Sequence, residues 1–297
     1  MTKHTKVWIE HLVDIEFYGN ALFQELKDLY DNFYEVLITI LKAHPHIKNK
    51  REFKKLLNRV RDDLEVLDSR VINLLDKELE TVVSTEEQWL KAFCKKIGIP
   101  LITTGVLSKV KFMPIGSISD KETLVKNVST KIQNFLERSL RINYIAVKPT
   151  QDTIDKIVVK RERIEKDVKQ MASDFETSSF RNTDRIIFMQ NDVELIYSSI
   201  LDGSTCIECG SYNGKVFSPT EAPVLPIHHN CRCSLLPYND KTKNIPTFSK
   251  WLKSETEDVQ KDVLGKTRYE LFKRGMPVEK FTNSGKIILL KDLIKKT

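Results

Sequence analysis

Two short stretches hold most of the side chains in this chain that could do chemistry. "DGSTCIECG", residues 202–210, carries Cys206 and Cys209 three positions apart. "LPIHHNCRC", residues 225–233, carries His228, His229, Cys231 and Cys233. The whole chain has only five cysteines and six histidines, so the concentration is local and steep. Thiolates and imidazoles are zinc's preferred donors, and a structural zinc site takes four of them in a tetrahedron. Cys206, Cys209, His228 and one of Cys231 or Cys233 supply that set. Gly210, directly after the first pair, lets the chain turn so that both thiolates face one ion. His228 and Cys231 are spaced like a second knuckle, and Cys231 and Cys233 share a face if the segment is extended. The segment between Cys209 and His228 is long enough for a hairpin-like loop, with "GKVF" as one arm.

Other chemistries fit the same residue types. The cysteines could pair as disulfides, or pack as free thiols in a module held by hydrogen bonds. A thioredoxin-like redox pair wants its CxxC at a helix start after a strand, whereas this pair runs into the turn-like "GSYNG". A cysteine–histidine nucleophile needs one isolated thiol beside a base, and four clustered thiols suit ligation better. His228, His229 and Asn230 suggest an HNH-type nuclease, but no histidine follows His229 in the chain.

The elements that must position these residues are mostly helical. Leu22, Leu26, Leu29, Phe33, Leu37 and Ile40 recur in steps of three and four, which marks a helix over 21–43. "HPHIKN" breaks it. Apolar positions from Phe53 to Val82 then run without Gly or Pro, predicting a long helix or hairpin arm. Ser84 with Glu87, or Thr85 with Gln88, spells a capping box for a short helix ending at Gly98 and Pro100. "LITTGVLSKVKFMPIGSIS" reads as loop or short strands and as the domain junction. Ser119 and Glu122 spell another capping box, "VKPT" ends the helix behind it, and helix resumes from 151 almost to Leu201. A loop-and-strand module follows, with Gly210 and Gly214 expected in turns of positive φ. Helices return from Thr247, with Gly265 and Gly275 as stops. The fold class is therefore mainly α. It comprises a helical N-terminal region (1–105), a helical body (106–240) with a small irregular α+β cysteine/histidine module of zinc-knuckle type (202–238), and a helical C-terminal tail (241–297).

Length and composition agree. The chain has 297 residues, 30% of them charged, and only 10 Gly and 10 Pro, which favours long solvated helices over sheet. The net charge of +7 is compatible with an anionic partner. "MTKHTKVWIEHLVDIEF" lacks the features of a signal peptide. No apolar run is long enough for a bilayer, so no membrane partner is expected. A reducing compartment favours metal over disulfides. Residues 5–43 are rich in aromatics (Trp8, Phe17, Tyr18, Phe23, Tyr30, Phe33 and Tyr34), which suggests either core packing or partner anchors.

"DGSTCIECGSYNGKVF", a proline-containing gap and "LPIHHNCRCSLLPY" together resemble the signature of the phage minor head protein, or Mu F-like head-morphogenesis, family. Asp202, Cys206, Cys209, Gly214, Pro226, His228, Asn230, Cys231, Arg232 and Cys233 match its motif positions. His229 stands where the family usually has proline, and "RNTD" is a looser match to an Arg-Thr-Glu stretch ahead of the cysteines. The likeness covers about residues 110–297. It implies a non-enzymatic assembly protein of a tailed phage that associates with the portal vertex. Such a protein acts in procapsid assembly and in handling packaged DNA. Its expected partners are the portal, a scaffold or major capsid protein, and non-specific double-stranded DNA. It would sit in the virion near the portal and in host cytoplasm during assembly. Some relatives carry fused toxin or ADP-ribosyltransferase domains, but the N-terminal helices here show no catalytic constellation. A zinc-dependent nuclease or other phage enzyme, and a standalone DNA-binding protein, are the alternatives. Asp202 and Arg232 are the candidates to support the metal ligands from outside.

Overall fold

The computed structural model describes residues 2–116, 118–228, 231–283 and 285–294. It is mainly α. In chain order it contains α1 (Lys3–Ala43), α2 (Lys50–Ile97), α3 (Val106–Val110), α4 (Lys121–Ile145), α5 (Gln151–Gln190) and β1 (Leu195–Ser198). Then come α6 (Ile207–Tyr212), β2 (Val216–Phe217), β3 (Ser234–Pro237), α7 (Phe248–Ser254) and α8 (Glu257–Lys273). A 3-10 turn at Val278–Phe281, the strand pair β4 (Thr282–Asn283) and β5 (Lys286–Ile287), and α9 (Leu290–Ile294) complete it. Among the described residues no helix is long and apolar enough to cross a membrane.

The chain packs as two compact units, and their boundaries fall inside α1, α2 and α5. One consists of Met1–Val13, Thr85–Val110 and Arg181–Thr297; the other of Asp14–Ser84 and Lys111–Phe180. They do not coincide with the consecutive segments 1–105, 106–240 and 241–297. Segments far apart in sequence bury their stripes together, and chain texture does not reveal which stripes meet.

The second unit is helical. Its core takes the apolar positions of α1, α2, α4 and α5 at steps of three and four, as with Leu22, Leu26, Leu37 and Leu41 on α1. Fully burying such a side chain contributes about 1.5–3 kcal/mol. Thr150 ties the loop after α4 to the loop after α1: its amide donates to the Pro45 carbonyl at 3.0 Å and its hydroxyl to the His44 carbonyl at 2.8 Å.

Several local expectations need correction. The first helix starts at Lys3, not near 21. α2 runs unbroken through Ser84 and Thr85, because burial of Val82, Val83, Glu86 and Leu90 continues its stripe past the capping-box residues. α4 is capped by Asp120, not Ser119; its carboxylate accepts from the Thr123 amide at 2.6 Å. Of the two readings of the α1 aromatics, core packing holds for Trp8, Phe23, Tyr30, Phe33 and Tyr34, which are buried, and Phe17 and Tyr18 are exposed. Helix 151–190 stops well short of Leu201. A turn with Asp192 at φ 48° follows, then β1. Gly265 (φ 70°) breaks α8 internally and Gly275 (φ 97°) follows its end, as their placement predicts.

Candidate metal centre

The cysteine and histidine residues belong to the first unit, around a three-stranded antiparallel sheet of order β2-β1-β3. β1 is central, pairing Leu195 with Phe217 on one side and Ser198 with Ser234 on the other. All four β1 residues and all four β3 residues are buried. The chain leaves β1 through a polar turn. The Ser204 amide donates to Asp202 Oδ1 at 2.9 Å, and the Asp202 amide donates to the Thr205 hydroxyl at 2.8 Å. That turn delivers Cys206 to the N-cap of α6, where its sulfur accepts from the Cys209 amide at 3.3 Å. The pair thus sits at a helix start after a strand, not in the open turn expected from "GSYNG".

His228 reaches this cap from the other stretch. Its Nε2 lies 3.2 Å from Cys206 Sγ and 3.0 Å from Cys209 Sγ. Cys209 Sγ lies 3.9 Å from Cys231 Sγ. Two trios result, Cys206–Cys209–His228 and Cys209–Cys231–Cys233, each with donor atoms within 4.8 Å of one another. Either can hold a metal ion, and they share Cys209. A tetrahedral ion with metal–sulfur bonds of ~2.3 Å separates its sulfurs by about 3.8 Å. The Cys209–Cys231 separation matches that span, and no disulfide joins the five cysteines. The imidazole sits slightly closer to the sulfurs than an ion would leave it, at hydrogen-bond distance.

The thiols tune one another. The hydrogen bond with the Cys209 thiol comes first in holding Cys206 down, to about 6; the Cys209 amide and His228 add to it against the cost of burial. Hydrogen bonds with Cys209 and then Cys233 lower Cys231, while the Cys206 and Cys231 contacts push Cys209 up. Low-pKa thiols in such a cluster give up their protons readily to a cation.

The surroundings fix the donors. Arg232 donates through Nη1 to Asp202 Oδ2 at 2.8 Å and through Nη2 to Asp202 Oδ1 at 2.7 Å. This fork clamps the turn before Cys206 to the segment that carries Cys231 and Cys233 into β3, and holds the Asp202 carboxyl below its ordinary range. Three supporting residues were invisible in the sequence because ordinary serine, asparagine and tyrosine carry no spacing signal. The Ser199 hydroxyl donates to the Cys209 carbonyl at 2.8 Å and accepts from Cys233 at 3.6 Å. Asn213 accepts from the Ser199 amide at 2.7 Å. Tyr197 is fully buried; burial first, then the neighbouring thiols, pushes its phenol far up, so it stays neutral. Gly214 takes φ 81° as expected, whereas Gly210 is helical and serves close packing instead: a Cβ there would meet the Phe248 ring at 2.6 Å. Pro226 follows a cis peptide bond. His229 and Asn230, on which the nuclease reading and the departure from proline rest, lie outside the described residues.

A second polar cluster, also in the first unit, includes two residues of the "RNTD" stretch. Arg181 and Asp184 are buried with Glu86 and His11. His11 Nε2 is 2.8 Å from Glu86 Oε2, and the His11 ring stacks on Trp89 at 3.6 Å. Burial pushes Glu86 up to about 7 and Asp184 well above the usual carboxylate range. No protein-family profile, curated protein or solved structure matches this chain.

Proposed function

We propose that the chain is a non-enzymatic assembly protein of a tailed-phage head, associated with the portal vertex, and that its cysteine cluster holds one structural zinc ion. The observation that carries this reading is convergence. Cys206, Cys209, His228, Cys231 and Cys233, the residues of the head-protein signature, meet at the α6 cap, with Asp202 and Arg232 forked beside them. All-sulfur and imidazole donors suit zinc rather than calcium or magnesium, which take oxygen. The cluster ligates rather than attacks. A nucleophilic cysteine works as one isolated thiol beside a base. Cys206 is half-exposed beside His228, but Cys209 shares that imidazole and Cys231 and Cys233 crowd in behind it, so the thiols stand as a donor set rather than singly. Zinc would cross-link the start of the short helix α6 to the irregular segment that carries His228, Cys231 and Cys233 into β3.

Co-expression with the cognate portal protein tests the assembly role. The full chain is expected to co-purify with the portal, and to keep doing so through a sizing column. Failure to co-purify removes the portal from the reading. The aromatics of α1 are mostly spent on the core, so the Phe17→Ala/Tyr18→Ala pair asks whether the two exposed ones dock.

A further inference from the structure

We propose that one end of the second unit is a binding surface for the phosphate backbone of duplex DNA. It gives the DNA-handling part of the head-protein reading a location, but it rests on charge placement and stands or falls separately from portal association.

The two interhelical loops of this unit meet at that end. Thr150, after α4, is bonded to the carbonyls of Leu41, in the last turn of α1, and of His44 and Pro45, after it. Phe53 on α2 stacks on Tyr144 of α4 with ring centroids 5.0 Å apart. Residues 42–55 and 141–160 therefore share the end. They contain ten Lys and Arg against three acids, an excess of seven. The whole chain's net charge is also +7, so everything outside these two segments balances to zero. A basic chain thus has its entire excess gathered at one place.

The patch is exposed and keeps a net excess of cations. Lys50, Arg51, Lys54, Lys55, Arg141 and Lys156 all face solvent. Of the three acids, Glu52 accepts from the Lys48 amide at 2.9 Å and lies 3.2 Å from His44, Asp152 pairs with Lys148 at 3.6 Å, and Asp155 accepts from Gln151 at 2.8 Å. Lys50–Lys54 and Arg51–Lys55 are like charges one helical turn apart, an arrangement that destabilises a helix by a few tenths of a kcal/mol per pair. Lys and Arg are the side chains that contact phosphate oxygens most.

A bilayer surface is the competing anion, because Ile145 and Val147 are 72% and 80% exposed beside the lysines. Interfacial insertion leans on aromatic anchors. Here the two aromatics, Phe53 and Tyr144, stack on each other and are half-buried. The surface offers charge for phosphates rather than anchors for lipid.

Fluorescence anisotropy with the full chain, using a labelled duplex of either of two unrelated sequences, tests this between about 50 and about 200 mM salt. Binding should be equal for both sequences, with log K falling by about 0.9 per phosphate neutralised for each unit of log salt. Lys50→Glu/Lys54→Glu/Lys55→Glu should weaken it about tenfold or more and flatten the salt slope. Acids on the first turn suit the helix dipole, so this variant should fold. Lys50→Gln/Lys54→Gln/Lys55→Gln should give the same direction. Lys253→Glu/Lys266→Glu/Arg274→Glu, in the first unit, should leave binding within about twofold. No DNA binding at low salt overturns the proposal. So does binding that survives the α2 variants, and so does binding to phosphatidylserine vesicles without binding to DNA.

Discussion

Cys209 belongs to both ligand trios, while each other donor belongs to one. Its loss should therefore cost the most metal. Elemental analysis of reduced protein is expected to find about one zinc per chain in the wild type and next to none in Cys209→Ser. Cys233→Ser should retain more, since Cys231 can still close a four-donor set with Cys206, Cys209 and His228. Equal zinc in wild type and Cys209→Ser would mean that the ion, if any, sits elsewhere. Gly210 gives a metal-independent test of the same neighbourhood. Gly210→Ala pushes a methyl into the Phe248 ring, and such overpacking costs about 1–3 kcal/mol. Thermal or urea unfolding would read that loss, and an unchanged midpoint would refute the packing role. At this scale the sequence was informative where chemistry is rare. Cysteine and histidine at knuckle spacing pointed to the side chains that the fold clusters, and Asp202 with Arg232 was legible as a pair. Ser199 and Asn213 were not, because their roles come from a strand and a helix cap that bring them under the thiols.

Among the elements, the long amphipathic helices were legible because their stripes repeat over many turns. Their limits were less so. Ser84 and Glu87 have the composition of a capping box, yet such residues cap only where a helix actually begins, and here continued burial carries α2 through them. β1 was missed for the opposite reason. Its four residues are all buried, so it shows no alternation, and only pairing with β2 and β3 makes it a strand. Helix packing also buries acids, with consequences for pH. Glu176 on α5 is almost fully buried in the second unit; burial first and the charge of Glu78 second push it up to about 9. A carboxyl raised in the folded state favours folding most when protonated. Its contribution is complete below the ordinary carboxylate range and is lost as pH rises through about 9. Chemical denaturation from pH 6 to 9 should therefore show falling stability, by about 1–3 kcal/mol. Glu176→Gln, which mimics the neutral acid, should flatten that slope. A wild-type slope that persists unchanged in Glu176→Gln would assign it to other groups, Glu86 and Asp184 first.

Across the whole molecule, the two units are built from different elements, and metal removal should separate them. The second unit is built from long helices with continuous apolar stripes. In the first, strands of two to four residues and a six-residue helix surround the thiols. α6 is also tied to the C-terminal segment, because Ile207 packs in one cluster with Phe248, Leu252 and Phe281. A structural zinc ion can contribute about 10 kcal/mol to folding at neutral pH. Stripping it should thus loosen residues 199–238 and, through Ile207, α7 and the 3-10 turn at Val278–Phe281. Residues 14–84 and 111–180 should keep their protection. Hydrogen exchange followed by mass spectrometry, with and without a zinc chelator under reducing conditions, reads both regions in one sample. Faster exchange confined to the first set is the expected result, reversed by adding zinc back. Exchange that does not change anywhere would show that the module is held by its hydrogen bonds alone, and uniform acceleration would show that the second unit does not stand without it.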